Sequence, residues 1–233
     1  MHHRANIIPL SVPTPRPKIE RVGLLDQVYQ VLKERVLDRT YLPGARLNVD
    51  ALSRELAVSS TPIREALGRL VAEGLVDAEP FVGFHVADIP TPDYYRQLYD
   101  FRLVIETWAA AETARRRPAQ TLAALKDSVE AMGEGTLSKR YARYRGFAEA
   151  DEAFHVAILA GTGNMPAMKA YEDLRIHHHL ARLYIERDQD TAESHAQHAA
   201  ILEAIKAGRP RDAAARMREH LATSRKRLLD EAA

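Results

Sequence analysis

Apolar residues recur every three or four positions along most of this chain, and the places where they stop doing so divide it. Leu24, Leu25, Val28, Val31, Leu32 and Val36 follow the helical period and predict one amphipathic helix. It should end near Thr40, ahead of a turn at Pro43-Gly44. A short second helix is expected from Asp50 to Leu56, with Leu52 and Leu56 facing inward. The turn Ala57-Val58-Ser59-Ser60 leads to a third, with Thr61 as N-cap and Pro62 as first helical residue. Its buried stripe is Ile63, Leu67, Leu70 and Val71. After Gly74, Leu75–Ala78 and Phe84–Ala87 read as two short strands joined by Glu79-Pro80-Phe81-Val82-Gly83. Three helices and a two-stranded ribbon make a winged helix-turn-helix.

The second part of the chain differs in texture. Long helical patterns rich in Ala, Leu, Arg and Glu are expected over about 93–117, 119–133, 138–161, 165–187, 190–207 and 210–230. Gly133-Glu134-Gly135, Gly161-Thr162-Gly163-Asn164 and Gly208-Arg209-Pro210 mark the breaks. Between the two textures lies ADIPTPDYY, stiffened by Pro90 and Pro92, where Thr91 and Pro92 suit an N-cap and first helical position. The expected fold class is therefore mainly α. A winged helix-turn-helix domain (23–88) is followed by a linker (89–92) and an all-helical bundle (93–233), whose core can hold a ligand or metal. Residues 1–22, broken by Pro9, Pro13, Pro15 and Pro17, read as an extended arm rather than a signal peptide.

Composition narrows the chemistry. The 233 residues give room for a sizeable core, and 46% hydrophobic with 28% charged is ordinary for a globular protein. With no cysteine, disulfides, thiolate zinc sites and cysteine nucleophiles are excluded, which fits a reducing cytoplasm. Any metal site must draw on His, Asp or Glu. No run of 18 apolar residues exists, so no membrane span is expected. The formal net charge is +1, and Lys/Arg against Asp/Glu number 11 to 11 in residues 1–90 and 22 to 21 thereafter. Charge alone therefore gives no sign of nucleic acid, and local geometry has to carry any such reading.

In a helix-turn-helix the second helix of the motif enters the major groove, led by its N-terminal residues. Those are Ser59, Ser60, Thr61 and Arg64. With Ile63 and Leu67 turned to the core, Arg64 faces outward. Its guanidinium can reach a guanine edge or a phosphate, and the hydroxyls can reach phosphates. Gly83 lets a wing tip approach a DNA backbone closely. The alternative is a helical hairpin whose Arg64 is a solvated surface charge.

The histidines suggest a second site. In Asp151-Glu-Ala-Phe-His155 a carboxylate and an imidazole share one helical face. His198 lies ten residues before Gly208, and His220 ten residues after Pro210. In an antiparallel hairpin both then stand about 15 Å from the turn, at ~1.5 Å per residue, and can face each other. Asp151, His155, His198 and His220 would form a site of one carboxylate and three imidazoles. Such a set suits a divalent metal ion: Zn, Ni, Mn, Fe or Co. Ordinary core or surface histidines are the alternative. His177, His178 and His179 point in different directions on a helix, while His195 could join the site or hydrogen-bond to it.

The run ARLNVDALSRELAVSSTPIREALGRLVAEGLVDAEPFVGFHV resembles the DNA-binding domain of the GntR superfamily of bacterial regulators. The shared elements are Pro43-Gly44, Leu52…Leu56, Val58-Ser59-x-Thr61-Pro62-Ile63-Arg64-Glu65-Ala66-Leu67, Arg69-Leu70, Glu73-Gly74-Leu75-Val76 and Gly83. Ser60 stands where the family usually has Arg, Val82 where the wing often has a basic residue, and Gly68 where a longer polar side chain is common. Each lost cation removes a possible phosphate or base contact, so a shallower salt dependence is expected.

Further on, YRQLYDFRLVIETWAAAETA, ADEAFHVAILAGTGN, QHAAILEAIKAG and AAARMREHL resemble the FCD ligand-binding domain of the FadR subfamily. The resemblance implies that Asp151, His155, His198 and His220 bind the metal. It also implies that Arg102 clamps an effector carboxylate, and it places Asn164 at a possible ligand contact. A surface salt bridge to Glu106 and a helix-start residue are the plain alternatives for those two. The function expected is a ligand-responsive transcriptional regulator, a repressor in the leading reading. It would act as a homodimer on a two-fold double-stranded DNA operator and bind a small organic acid. A regulator sensing the ion itself and a helical metalloenzyme are the alternatives, although the chain has no H-E-x-x-H and no nucleophile elbow.

Overall fold

The structure, a computed structural model, describes residues 22–133, 141–176 and 191–230. Its first unit begins with α1 (Val22–Leu37), which turns Val28, Leu32, Val36 and Leu37 into the core. Leu24, expected on that stripe, is half exposed in the first turn. The helix stops short of Thr40 because Arg39 takes a left-handed backbone (φ 54°) and the Tyr41 N–H turns back to the Arg35 carbonyl at 3.1 Å. After the Pro43-Gly44 turn comes a strand the hydrophobic pattern did not disclose, β1 (Arg46–Leu47). α2 (Val49–Glu55) follows, capped by Asn48, whose Oδ1 accepts from the Ala51 N–H at 2.9 Å.

α3 (Ser60–Ala72) starts earlier than expected. Ser59 occupies the N-cap position, which puts Thr61 and Pro62 inside the first turn. First-turn N–H groups have no intrahelical acceptor, so a proline there costs no hydrogen bond and does not fix which residue begins the helix. Ile63, Ala66, Leu67 and Leu70 are fully buried. β2 (Val76–Glu79) and β3 (Gly83–Val86) pair antiparallel, with Asp77 opposite His85 and Glu79 opposite Gly83. The expected two-stranded ribbon is thus a three-stranded sheet of order β1-β3-β2. Gly44, at φ 75°, is what lets β1 reach it: its N–H donates to the Val86 carbonyl at 2.8 Å.

The second unit opens with α4 (Pro92–Arg116), capped by the Thr91 hydroxyl, which accepts from the Tyr94 N–H at 3.3 Å. α5 (Ala119–Gly133), α6 (Tyr141–Gly161), α7 (Met165–Asp173), α8 (Thr191–Lys206) and α9 (Pro210–Asp230) follow. α7 was expected to run to 187 but stops at Asp173, where Arg175 turns left-handed (φ 45°). His177, His178 and His179 lie outside the described residues.

α4 runs along α9 and also packs on α6 and α8, while α5 packs on α6 and α8. Tyr99 and Ser224 share a 2.7 Å hydrogen bond across the α4–α9 seam, and Arg225 donates to Asp100 there at 2.8 Å. Leu125, Phe154, Ile158, Leu159, Ile201, Met217 and Leu221 fill the bundle. Burial of each such large side chain contributes roughly 1.5–3 kcal/mol. α4 and α6 meet closely because residue 161 is glycine: a Cβ there would lie 2.6 Å from Thr113 Cγ2. The two apolar cores share no buried residue. They touch through the start of α6, where Ala148 packs on the first core and Arg145 pairs with Glu34 of α1.

Candidate metal centre and nucleic-acid interface

Asp151 and His155 project from one face of α6, His198 from α8 and His220 from α9. α8 and α9 form an antiparallel hairpin through Gly208, whose φ of 63° permits the Arg209 N–H to bond back to Ala204 at 3.0 Å. The hairpin brings the rings of His198 and His220 to 4.3 Å between centroids, and both lie 5.3–5.4 Å from the His155 ring. One ligand atom from each of the four residues falls within a common 4.8 Å. All three imidazoles are buried, and the side chain of Asp151 keeps 20% exposure.

Outer partners orient the rings. His198 Nδ1 lies 2.7 Å from the Ser194 carbonyl, His220 Nδ1 lies 2.9 Å from Gln197 Oε1, and His155 Nδ1 lies 2.5 Å from Glu106 Oε2. A carbonyl only accepts, so His198 Nδ1 directs its proton to Ser194; at His155 the Glu106 carboxylate makes a close charged contact with Nδ1, without an aligned hydrogen bond, and favours the proton there. The Nε2 atoms of the two rings are then bare lone pairs, yet they face each other at 3.3 Å. Asp151 Oδ1 stands beside them, 3.2 Å from His198 Nε2 and 3.9 Å from His155 Nε2. Acceptors converging without a proton between them repel, and a cation turns that repulsion into ligation. The donor set therefore fits a divalent ion, and its outer partners have the pattern that orients metal-bound imidazoles.

The electrostatics favour the neutral, ligating form of His155 and His220. Burial pushes His155 below its ordinary value of 6.5 despite Glu106 beside it. Burial, reinforced by His198 and His155, pushes His220 further down. Burial alone would raise the Glu106 carboxyl, but Arg102 and His155 hold it well below the usual carboxylate range. Arg102 Nε donates to Glu106 Oε1 at 2.6 Å, and its guanidinium sits 5.1 Å from the Tyr99 ring centroid. The pair that the sequence allowed as a surface salt bridge is thus fully buried, because this face of α4 lies against the bundle interior. Two Arg102 nitrogens are engaged by Glu106, and Nη1 has no hydrogen bond among the described residues.

Two candidates stand away from the cluster. His195 Nε2 lies 3.1 Å from the Val129 carbonyl on α5, beside Gly133. Asn164 caps α7, its Oδ1 accepting from the Ala167 N–H at 3.0 Å. Asn164 borders a 510 Å³ surface groove with Trp108, Glu112, Arg116 and Met165. Glu106 is the residue that the sequence undervalued: its spacing from Arg102 was visible, but not its reach to His155.

In the first unit, Ser59, Ser60, Thr61 and Arg64 are exposed together at the start of α3. Arg64 makes no ion pair among the described residues, whereas Arg69 is tied to Asp26 at 2.7 Å. Gly83 is exposed at φ 102°, next to a turn bearing the fully exposed Phe81 and the half-exposed Val82.

Comparison with known proteins decides the family. The FCD domain matches residues 97–223, and the gntR family of bacterial regulatory proteins matches residues 24–86. The chain is a GntR-family regulator with an FCD domain. It is 30% identical over 159 residues to the Nta operon transcriptional regulator of Aminobacter aminovorans, covering 68% of this chain and 72% of that one. It is 26% identical over 213 residues to the transcriptional repressor GlaR of Escherichia coli, covering 84% and 91%. Among solved structures, E. coli McbR/YncC superposes with a TM-score of 0.66 at 23% identity, over 89% of this chain and 98% of that one. A GntR regulator from Rhodococcus sp. RHA1 gives 0.64 at 25% identity, over the same shares.

Membership makes this a DNA-binding transcriptional regulator and not an enzyme. No described helix is long and apolar enough to cross a membrane. Against the family pattern, the positions of Ser60, Gly68 and Val82 are all exposed, so no internal contact replaces the cations usual at the first and last.

Proposed function

We propose that this regulator is a homodimeric repressor whose bundle holds a divalent ion on Asp151, His155, His198 and His220 and takes a small carboxylate effector beside it. The observation that carries the reading is the pair of Nε2 atoms 3.3 Å apart against the Asp151 carboxylate. An ion with six positions and four protein ligands offers two to an effector oxygen. Arg102 supports the effector half: its Nη1 has no hydrogen bond among the described residues, and a guanidinium fork suits a second carboxylate. Ser59, Ser60, Thr61, Arg64 and Gly83 are the residues assigned to the operator, and a two-fold pair of such units matches a palindromic site. A relative bearing the name of repressor favours that direction of control.

α6 joins the two activities. It carries Asp151 and His155 at mid-length and meets the DNA-binding unit through Ala148 and Arg145 at its start. A shift of this helix when the bundle closes on an effector would change how the DNA-binding unit is held, which is coupling through one shared element. The test is operator binding by the metal-loaded protein, titrated with a panel of small mono-, di- and hydroxycarboxylates. At least one should change operator affinity several-fold, and an Arg102→Gln variant should not respond to it. A panel without effect, against an ion-dependent change in affinity, would favour the ion itself as signal.

A further inference from the structure

Among the described residues, Glu106 is a charged outer partner of the imidazoles. His198 and His220 are held by a backbone carbonyl and a side-chain amide, and His155 by this carboxylate. Glu106 is fully buried, as are His155 and Arg102, and α4 presents it to α6 at the level of the cluster. Oε1 accepts from Arg102 Nε at 2.6 Å, and Oε2, which also takes Arg102 Nη2 at 3.5 Å, lies 2.5 Å from His155 Nδ1. A buried carboxylate stays ionised only when such partners compensate it, and an ionised carboxylate can only accept. Its charge beside Nδ1, in close contact though not in an aligned hydrogen bond, therefore favours the proton position there.

We propose that Glu106 is the positioning residue of this centre: it locks His155 in the Nδ1–H form with Nε2 bare, and it ties that imidazole to Arg102. The inference rests on the metal reading above for its consequence, but its first half concerns the metal-free chain alone. A neutral acceptor would orient the ring as well, but a charged one also raises the electron density at Nε2 and so the strength of ligation. Because the same carboxylate holds Arg102, the arginine assigned to the effector and a ligand assigned to the ion share one partner. A change at either is felt at the other without direct contact between effector and metal.

The test reads the tautomer first. Long-range proton–nitrogen NMR of the metal-free, full-length protein should show His155 protonated at Nδ1. In Glu106→Ala the signal should move to the Nε2–H form or a mixture, while His198 keeps its Nδ1 proton on Ser194. Competition of a chelator for Zn²⁺ should show affinity falling roughly 10- to 100-fold in that variant. Glu106→Gln is close in shape but keeps only one acceptor oxygen, so it guards against failure to fold and should show a partial loss of the Nδ1–H form with a smaller loss of affinity. Thr113→Val, which removes a buried hydrogen bond elsewhere on α4, should change neither reading. Nδ1 protonation and undiminished Zn²⁺ affinity in Glu106→Ala would overturn the proposal. Nδ1–H in the wild type, lost in Glu106→Ala, with no Zn²⁺ bound by either, would uphold the positioning role and remove the metal reading instead.

Discussion

Replacing His198 with alanine is the sharpest single perturbation of the bundle. Its Nε2 is central to the cluster, 3.2 Å from Asp151 Oδ1 and 3.3 Å from His155 Nε2. An ion present at 100 times its dissociation constant stabilises the folded state by about 2.7 kcal/mol. For a chain of this size each kcal/mol moves the midpoint by about 2–4 °C, so saturating metal should raise it by about 5–10 °C in the wild type. Loss of a direct ligand should weaken binding by at least the ~100-fold upper range that outer partners reach. At the same metal concentration the site is then about half filled, and the gain falls to about 1 °C. The cavity left by the imidazole lowers the metal-free and metal-loaded midpoints alike and cancels in the difference. Differential scanning calorimetry of both proteins, with and without Zn²⁺ or Mn²⁺, measures it. A variant that still gains about 5–10 °C would place the stabilising ion elsewhere.

Other outcomes follow from the same geometry. His155 and His220 are held below 6.5 when folded, so the unfolded chain binds more protons as pH falls through 6.5. Stability of the metal-free protein should be full above that pH and decline below it, and a urea series from pH 8 to 5 would show the slope. Arg64→Ala should abolish specific operator binding, and an unchanged footprint would rule out the assigned face of α3. Gly161→Ala drives a methyl to 2.6 Å from Thr113 Cγ2 and 2.9 Å from Thr121 Cγ2. It should destabilise the protein by about 1–3 kcal/mol, read as a lower thermal midpoint.

What could be read from the sequence was what local chemistry encodes. Thr91-Pro92 capped α4 where expected because a cap needs only its own turn. Equal spacing about Gly208 was enough to place His198 and His220 at one height, because α8 and α9 are adjacent in the chain. Features that depend on distant partners stayed hidden. β1 is two residues long and exists through its pairing with β3, some forty positions away. The Arg102–Glu106 spacing was plain, but its burial depends on how α4 lies in the bundle, and the link to His155 on how α4 meets α6. Asn164, carried over as a possible ligand contact with a helix-start residue as the alternative, is seen capping α7 at the edge of a surface groove. His195, three residues before His198 and only about 60° round α8, turns to α5 instead, its Nε2 3.1 Å from the Val129 carbonyl.

The central claim is that Asp151, His155, His198 and His220 hold one divalent ion. Elemental analysis of the purified, dialysed protein after loading, together with the Asp151→Ala and His220→Ala variants, tests it most directly. One ion per chain is expected in the wild type, and well under half of that in each variant. Equal metal content in all three proteins, or none in the wild type at saturating metal, would contradict it.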